Sequence, residues 1–198
     1  MNSRRRLVVG VSGASGAILG VRLLEVLSQM DTLETHVVIS DAAGLTIRAE
    51  TGRSKNEVQA LASYAYRPHD IGAAIASGSF PIDGMVVVPC TIKTLSAIAH
   101  CYAADLLARA ADVTLKEGRP LLLVVREAPL HVGHLRLMLQ AAEMGAIIFP
   151  AVPAFYTHPS SVDEMVDNMV GRILRRLGID NDLFMTWEGC QERPKGSG

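Results

Sequence analysis

The sequence predicts an α/β fold, a Rossmann-like doubly wound parallel sheet, and three observations carry that expectation. Short apolar runs alternate with stretches of helical periodicity along the whole chain. The runs are mostly apolar rather than alternating, as strands buried on both faces require, and several close on serine or proline. With 198 residues, 49% hydrophobic and 20% charged, the chain is long and apolar enough for one core and too ordered in composition for general disorder.

The elements follow in order. Leu7 to Val11 is the first strand, and Gly16 to Met30 a helix with Ile18, Val21, Leu24 and Leu27 near helical spacing. His36 to Ile39 is the second strand, followed by a helix from Asp41 to Glu50 with Asp41 as its N-cap. Ser54 to Ala62 begins with a capping pair, Ser54 and Glu57. Tyr64 to Asp83 reads as irregular, with a loop at Ser77-Gly78-Ser79 and Pro81. Met85 to Val88, closed by Pro89, Leu121 to Val125, and Ala146 to Phe149 complete five strands. Between them lie helices at Lys93–Cys101, Asp105–Glu117 (stopped by Gly118) and His134–Met144 (stopped by Gly145). The last helix opens on Ser161-x-x-Glu164 and carries an apolar stripe from Val162 through Met165, Val166, Met169, Val170, Ile173 and Leu174 to Leu177. No repeat or linker interrupts the chain, so one domain is expected over 1–187, with a flexible tail at 188–198.

Charge and composition exclude several classes. Nineteen Lys and Arg against 20 Asp and Glu leave a net charge of −1, which gives no footprint for a polyanion. Aromatic residues are 5%, too few for base-stacking platforms, so nucleic-acid binding is not expected. Cys90, Cys101 and Cys190 form no C-x-x-C, which suits a reducing compartment. Ser3-Arg4-Arg5-Arg6-Leu7 imitates a twin-arginine export start, but the apolar run breaks at Ser12-Gly13-Ala14-Ser15-Gly16 and no cleavage site follows before Arg22 and Glu25. No apolar run has the length of a membrane span. A cytoplasmic protein is expected.

Ligands of open α/β sheets bind beyond the carboxyl ends of the strands, so the residues after each strand are the candidate site. These are Ser12-Gly13-Ala14-Ser15-Gly16, Ser40-Asp41, Pro89-Cys90-Thr91-Ile92-Lys93-Thr94, Arg126-Glu127 and Pro153-Ala154-Phe155-Tyr156. Gly13 and Gly16 allow close approach to a phosphate or flat ring, and Gly16 opens a helix whose N-terminus attracts anions. Ser12 stands where the second glycine of a dinucleotide fingerprint would be, and there is no Gly-Lys-Ser/Thr, so a mononucleotide fits better than NAD. Arg109 and Lys116 share a helix face with Asp112, which pairs with both in the plainest reading. Arg172, with Arg175 and Arg176, either serves a ligand or complements its helix C-terminus. His131, His134 and His158 lack the partners of a metal site, and Cys90 reads as inert packing rather than a nucleophile served by His100.

Taken together in order, these segments, with Ser77-Gly78-Ser79, Arg109-Ala110-Ala111-Asp112-Val113, Lys116-Glu117 and Arg126-Glu127-Ala128-Pro129, resemble the UbiX family of flavin prenyltransferases. Older members were called aromatic acid or 3-octaprenyl-4-hydroxybenzoate decarboxylases. The resemblance runs from about Leu7 to Trp187. It implies a flavoprotein architecture shared with flavin-dependent cysteine decarboxylases. The implied reaction joins the dimethylallyl group of dimethylallyl phosphate to N5 and C6 of reduced FMN without a metal. The product, prenylated FMN, would serve a UbiD-type decarboxylase, commonly in ubiquinone biosynthesis or aromatic acid decarboxylation, with a flavin reductase as electron source.

The resemblance places FMN on Ala14, Ser15, Gly16, Ser40, Thr91, Ile92, Lys93, Thr94 and Arg126. It places dimethylallyl phosphate among Ser77, Gly78, Arg109, Lys116, Glu127, Tyr156 and Arg172. Ser15, Glu127, Tyr156 and Trp187 become the candidate catalytic groups: Ser15 for the N5 proton, Glu127 for the C6 proton, Trp187 as a wall for the isoprenoid. Allylic C–O cleavage leaves a phosphate and a short-lived cation, so guanidinium, ammonium and aromatic faces are the groups such chemistry needs. Thr91 stands where the family often has serine. The resemblance also implies a homododecamer with the site shared between subunits. The competing expectations are a flavin-dependent cysteine decarboxylase, whose catalytic histidine and asparagine loop have no counterpart at Pro89–Thr94, and a non-catalytic flavin carrier of a decarboxylase.

Overall fold

The structure, a computed structural model, describes residues 4–187 and 189. The chain divides into two compact units, Met1–Val152 and Pro153–Gly198. Apart from Gly189, the expected tail 188–198, Cys190 included, lies outside the described residues.

The first unit is built on six strands: β1 (Arg5–Val11), β2 (Leu33–Ile39), β3 (Tyr64–Tyr66), β4 (Gly84–Cys90), β5 (Leu121–Val125) and β6 (Ile147–Ile148). All pairings are parallel, in the order β3-β2-β1-β4-β5-β6. The connecting helices are α1 (Ala17–Ser28), α2 (Asp41–Thr51), α3 (Lys55–Gln59), α4 (Ile92–Ala99), α5 (Leu106–Lys116) and α6 (Val132–Glu143). Met85, Val87, Leu121 and Leu123 pack in one cluster with Leu95 of α4 and Leu106 and Leu107 of α5. The alternate residues Val86, Val88, Leu122 and Val124 are equally buried. Both faces of the sheet are therefore covered, which is why these strands show no polar alternation. Each fully buried Leu, Ile or Val contributes about 1.5–3 kcal/mol relative to exposure.

The doubly wound α/β expectation holds, with local corrections. A sixth strand, β3, lies in the stretch read as irregular. It is three residues long, half in solvent, and pairs through His36–Tyr64 and Val38–Tyr66 at the edge of the sheet, so no apolar run marks it. The N-cap of α2 is Ser40, whose side chain accepts from the Ala43 N–H at 3.2 Å, and Asp41 is the first helical residue. Strand β4 continues through Pro89 to Cys90, although its pairing with β5 shifts between Val87 and Cys90. A proline has no N–H to give the ladder, so the shift sits where that donor is missing. The Ser54–Glu57 capping box is present as expected.

In the second unit, α7 (Val162–Arg176) is capped by Ser161, which accepts from the Glu164 N–H at 3.1 Å. The Glu164 carboxylate turns to the N–H and hydroxyl of Ser160 instead of completing the box on Ser161. Val166, Met169, Val170, Ile173, Leu174 and Leu177 are buried along the expected stripe, whereas Val162 is exposed.

One buried polar cluster has a titratable centre. His36, 1% exposed, stacks on Tyr64 and Tyr66 and meets Phe80 edge-on. Its Nε2–H donates to Glu34 Oε1 (3.0 Å) and its Nδ1 accepts from the Tyr66 hydroxyl (2.9 Å), an arrangement for neutral imidazole. Arg6 Nε donates to the same Glu34 oxygen at 2.7 Å, and its guanidinium lies 4.9 Å from the Phe80 ring centre. Burial lowers the His36 pKa below its ordinary 6.5, outweighing the opposing pull of the Glu34 carboxylate. The unfolded chain then binds the extra proton first, so this stabilisation is full above pH 6.5 and is lost as pH falls through the folded-state value. Melting temperatures measured from about pH 5 to pH 8 should decline below about 6.5 in the native protein. His36→Leu should flatten that decline and, by stranding the Tyr66 and Glu34 partners, cost about 1–3 kcal/mol at neutral pH. An unchanged acid slope in the variant would clear His36 of the effect.

Candidate active site

In the first unit the expected flavin residues meet where the strand order reverses. β1 leads to α1 and β2 on one side, β4 to α4 and β5 on the other, so a crevice opens between their carboxyl ends. Ser12 closes its floor. The residue is 2% exposed; its hydroxyl donates to Pro89 O (2.9 Å) and accepts from the Thr91 N–H (2.8 Å), and its own N–H reaches Pro89 O.

The turn that follows approaches α2 so closely that a Cβ on Gly13 would stand 2.5 Å from that of Ala42. Ala14 and Ser15 pass over this contact, Ser15 in solvent, and Gly16 turns the chain into α1 with φ +92°. The N-terminus of α1 does attract an anion, but the anion is internal. Glu50 of α2 accepts from the Gly16 N–H at 2.9 and 3.1 Å and from the Ile18 N–H at 3.2 Å. Sequence reasoning missed Glu50, an exposed carboxylate 34 residues away that no local pattern distinguishes.

The N-terminus of α4 is arranged differently. Thr91 caps it, accepting from the Thr94 N–H at 3.1 Å and donating to Thr94 Oγ1 at 3.0 Å. The N–H groups of Ile92 and Lys93 belong to the first turn and have no intrahelical acceptor. Lys93 and, after β5, Arg126 have no carboxylate partner among the described residues. Ser40 caps α2 from the end of β2. A cavity of about 530 Å³, lined by Lys93, Thr94, His69, His100, Tyr102 and Asp105, opens beside α4. The α4 donors and two cations that have no carboxylate partner among the described residues fit the phosphate of a flavin mononucleotide, whereas the missing Cβ of Gly13 is accounted for by Ala42 of α2. Glu127 is exposed beside Arg126, and one oxygen accepts from the Ala128 N–H at 3.1 Å.

Ser77, Gly78 and Lys116 lie at the other end of the sheet. Asp83 and Met85 meet Arg6 and Pro120 at the amino ends of β4, β1 and β5. The loop from Ser77 to Phe80 packs against the residues that lead into β5. The seven residues of β4 put roughly 20 Å between the two ends. Here Arg109 donates from Nε to Ala76 O (3.1 Å) and from a terminal nitrogen to Asp112 (2.7 Å). Lys116 pairs with Glu117, so the expected ladder through Asp112 reaches Arg109 only. Ser77 and Ser79 hydroxyls share a hydrogen bond of 2.9 Å. Of the prenyl-phosphate candidates the structure thus gathers Ser77, Gly78, Arg109 and Lys116 into one cluster and separates them from Glu127 and Arg126 within a chain.

In the second unit, Tyr156 and Trp187 meet edge to face, 5.3 Å between centres at 77°, and the Tyr156 hydroxyl donates to Met185 O at 3.3 Å. Both rings are substantially exposed, and Arg172 is exposed on α7. Arg175, on the same helix, is held by Asp180 at 2.6 Å.

Two alternative chemistries lose support. Burial pushes the Cys90 thiol up to about 12, which leaves no thiolate at neutral pH, and His100 is turned to Ser96 O instead. His131 Nδ1 caps α6 by accepting from the Gly133 N–H, with its ring 3.6 Å from that of His134. Among the described residues no three His, Cys, Asp or Glu side chains form a metal-holding group, and no helix is long and apolar enough to cross a membrane.

Comparison with known proteins bears on the same residues. A family model described as Flavoprotein matches residues 1–174. Flavin prenyltransferase UbiX of Escherichia coli K12 is 57% identical over 188 residues, covering 94% of this chain and 100% of the relative. Among solved structures, AnUbiX (PadA1) in complex with FMN and dimethylallyl pyrophosphate superposes with a TM-score of 0.92 at 47% identity, over 95% of this chain and 100% of that one. A dodecameric FMN-dependent UbiX-like decarboxylase from Escherichia coli O157:H7 gives 0.91 at 48%, over 93% and 100%. The FMN-dependent cysteine decarboxylase SpaF, at 20% identity and a TM-score of 0.60 over 85% of this chain and 99% of that one, shares the fold. With relatives matched along nearly its full length, the chain belongs to the Flavoprotein family and, within it, to the UbiX flavin prenyltransferases.

Proposed function

We propose that the protein transfers the dimethylallyl group of dimethylallyl phosphate to reduced FMN, without a metal, and that the prenylated flavin passes to a UbiD-type decarboxylase. A flavin reductase would supply the electrons, and the cytoplasm is the compartment that suits a reduced flavin and free thiols. The observation that carries this reading is the capped start of α4 beside Lys93 and Arg126, two cations with no carboxylate partner among the described residues, in a chain whose relatives are named for this activity. A cysteine decarboxylase is not favoured, since its likeness extends to the fold alone.

Bound in reduced form, FMN supplies a nucleophilic ring nitrogen and a ring carbon to the allylic group. The chain supplies the rest. The α4 N–H groups, Lys93 and Arg126 would hold the flavin phosphate, with the Ala14–Gly16 turn beside the ring system. Arg109 and Lys116 take the charge of the departing phosphate. The Tyr156 and Trp187 rings present π faces to the positive allylic fragment. Ser15, open to solvent in the turn that Glu50 fastens, would accept a hydrogen bond from the ring-nitrogen N–H and relay that proton to solvent water as its own hydroxyl proton is handed on. Glu127 takes the ring-carbon proton on Oε2, its other oxygen being engaged by Ala128.

The roughly 20 Å between the two sheet ends has a consequence for assembly. Lys116 and Ser77 of one copy must complete the crevice of another, as in a closed oligomer with head-to-tail contacts. A dodecamer, the assembly of the Escherichia coli O157:H7 relative, provides such contacts.

Three measurements test the reading. Anaerobic incubation with reduced FMN and dimethylallyl phosphate in the presence of a chelator should yield a flavin one isoprenyl unit heavier by mass spectrometry; recovery of unmodified FMN would sink it. Glu127→Gln should keep flavin affinity and lower kcat by about 10²–10⁴, the range of a lost general base, and full activity would remove Glu127 from the chemistry. Lys116→Ala and Glu127→Gln chains, each inactive, should regain about a quarter of native activity when co-assembled at random, because one site in four then draws both intact halves. No recovery in mixed oligomers would place both residues in the site of a single chain.

A further inference from the structure

The Ser77–Ser79 loop has no regular structure of its own, yet it is fastened to α5 from three directions. Arg109 donates to Ala76 O from the middle of the helix. Lys116 and Glu117 lie directly on the backbone of Gly78, where any Cβ would overlap the Glu117 carboxylate and the Lys116 Nζ. Arg119, just beyond the helix end, donates from one terminal nitrogen to Phe80 O and from the other to Gly78 O, both at 2.9 Å. Its own N–H is fixed to Thr114 O at 2.9 Å, so the guanidinium is anchored to α5 at its base. The guanidinium of this half-buried residue thus grips two neutral carbonyls across 39 and 41 residues of sequence. A planar fork suits that task, because two carbonyls are held at a fixed separation; an ammonium would hold one firmly.

We propose that Arg119 is a positioning residue for the prenyl-phosphate half of the site. Acting through the Gly78 and Phe80 carbonyls, it holds the loop against α5, so that the Ser77 hydroxyl and the Lys116 ammonium share one fixed geometry toward a phosphate ester. This inference rests on the function proposed above, and no reading of the sequence singled the residue out. Glycine at 78 belongs to the same device: the loop backbone must come close enough for Lys116 to rest on it.

Arg119→Met and Arg119→Lys in the full-length protein test the proposal, with dimethylallyl phosphate binding measured by calorimetry without flavin, FMN affinity measured separately, and steady-state KM and kcat alongside. Hydrogen exchange over residues 77–83 reports the loop itself. Arg119→Met should weaken ester binding and raise its KM about tenfold or more, the scale of charge-assisted hydrogen bonds. It should leave FMN affinity within about twofold and speed exchange in the loop, and Arg119→Lys should lie between the two. Unchanged ester affinity, or a parallel loss of FMN affinity marking a general structural role, would overturn the inference. If Arg119→Met does not fold, Arg119→Lys decides on the same readouts. Native protein that binds the ester but does not prenylate FMN defeats the function while leaving the Arg119 affinities to judge this inference; native protein that binds no ester defeats both.

Discussion

The site depends on a single buried hydroxyl. Ser12 sits where β1 and β4 part, and Pro89 has already deprived β4 of a ladder donor there. With Pro89 O and the Thr91 N–H both turned toward the gap, the Ser12 side chain satisfies one as donor and the other as acceptor. Without that hydroxyl the partly buried Thr91 N–H would lose its acceptor, at a cost of about 1–3 kcal/mol, while Pro89 O would keep the Ser12 N–H. The same two bonds set the spacing between the Gly13–Gly16 turn and the start of α4. A glycine at position 12, as in a dinucleotide fingerprint, would free the backbone and lose the rivet. The departure from that fingerprint is therefore structural as well as a sign of a different ligand.

From that spacing follows a division of labour between two helix N-termini. Glu50 occupies α1, whose first N–H groups it takes with a carboxylate, so the helix dipole there is already answered. α4 keeps two first-turn N–H groups and gains Lys93 and Arg126 nearby without opposing carboxylates. The N-terminus of α4 is thus the one left open to an anion, whereas that of α1 is already occupied. The Glu50 contact also holds Gly16 at its positive φ, which keeps Ser15 at the open side of the turn.

How far this could be read from the residues varies with the range of the interaction. Strands buried on both faces announced themselves by uninterrupted apolar runs. β3 did not, because an edge strand of Tyr64, Ala65 and Tyr66 has one residue in three to show and solvent on one side. Local caps such as Ser54 were legible from spacing, whereas the choice between Ser40 and Asp41 turned on one residue of backbone geometry. The flavin-side residues were legible because each ends a strand. Glu50 and Arg119 were not: one reaches back 34 residues and the other 39 and 41, and neither is unusual in type or neighbourhood. The separation of Lys116 from Glu127 is a property of sheet direction, invisible in any list of matching motifs.

That separation gives meaning to the carboxylates beside the phosphate-side cations. Arg109 is paired with Asp112 and Lys116 with Glu117, whose carboxyl the Lys116 ammonium holds below its usual range. Two bare cations at a chain edge would collect any phosphate; Asp112 and Glu117 neutralise these two. Magnitudes decide whether the pairing also blocks the substrate. The Arg109–Asp112 pair is about one-third exposed and contributes at most about 1 kcal/mol, whereas a hydrogen bond from a guanidinium to a phosphate oxygen is worth about 1.5–3 kcal/mol. A phosphate oxygen therefore displaces Asp112 from Arg109 at a net gain, and because that cost falls equally on inorganic phosphate and on an ester, the paired carboxylates weaken both alike and any preference for an ester has to come from contacts to its organic end.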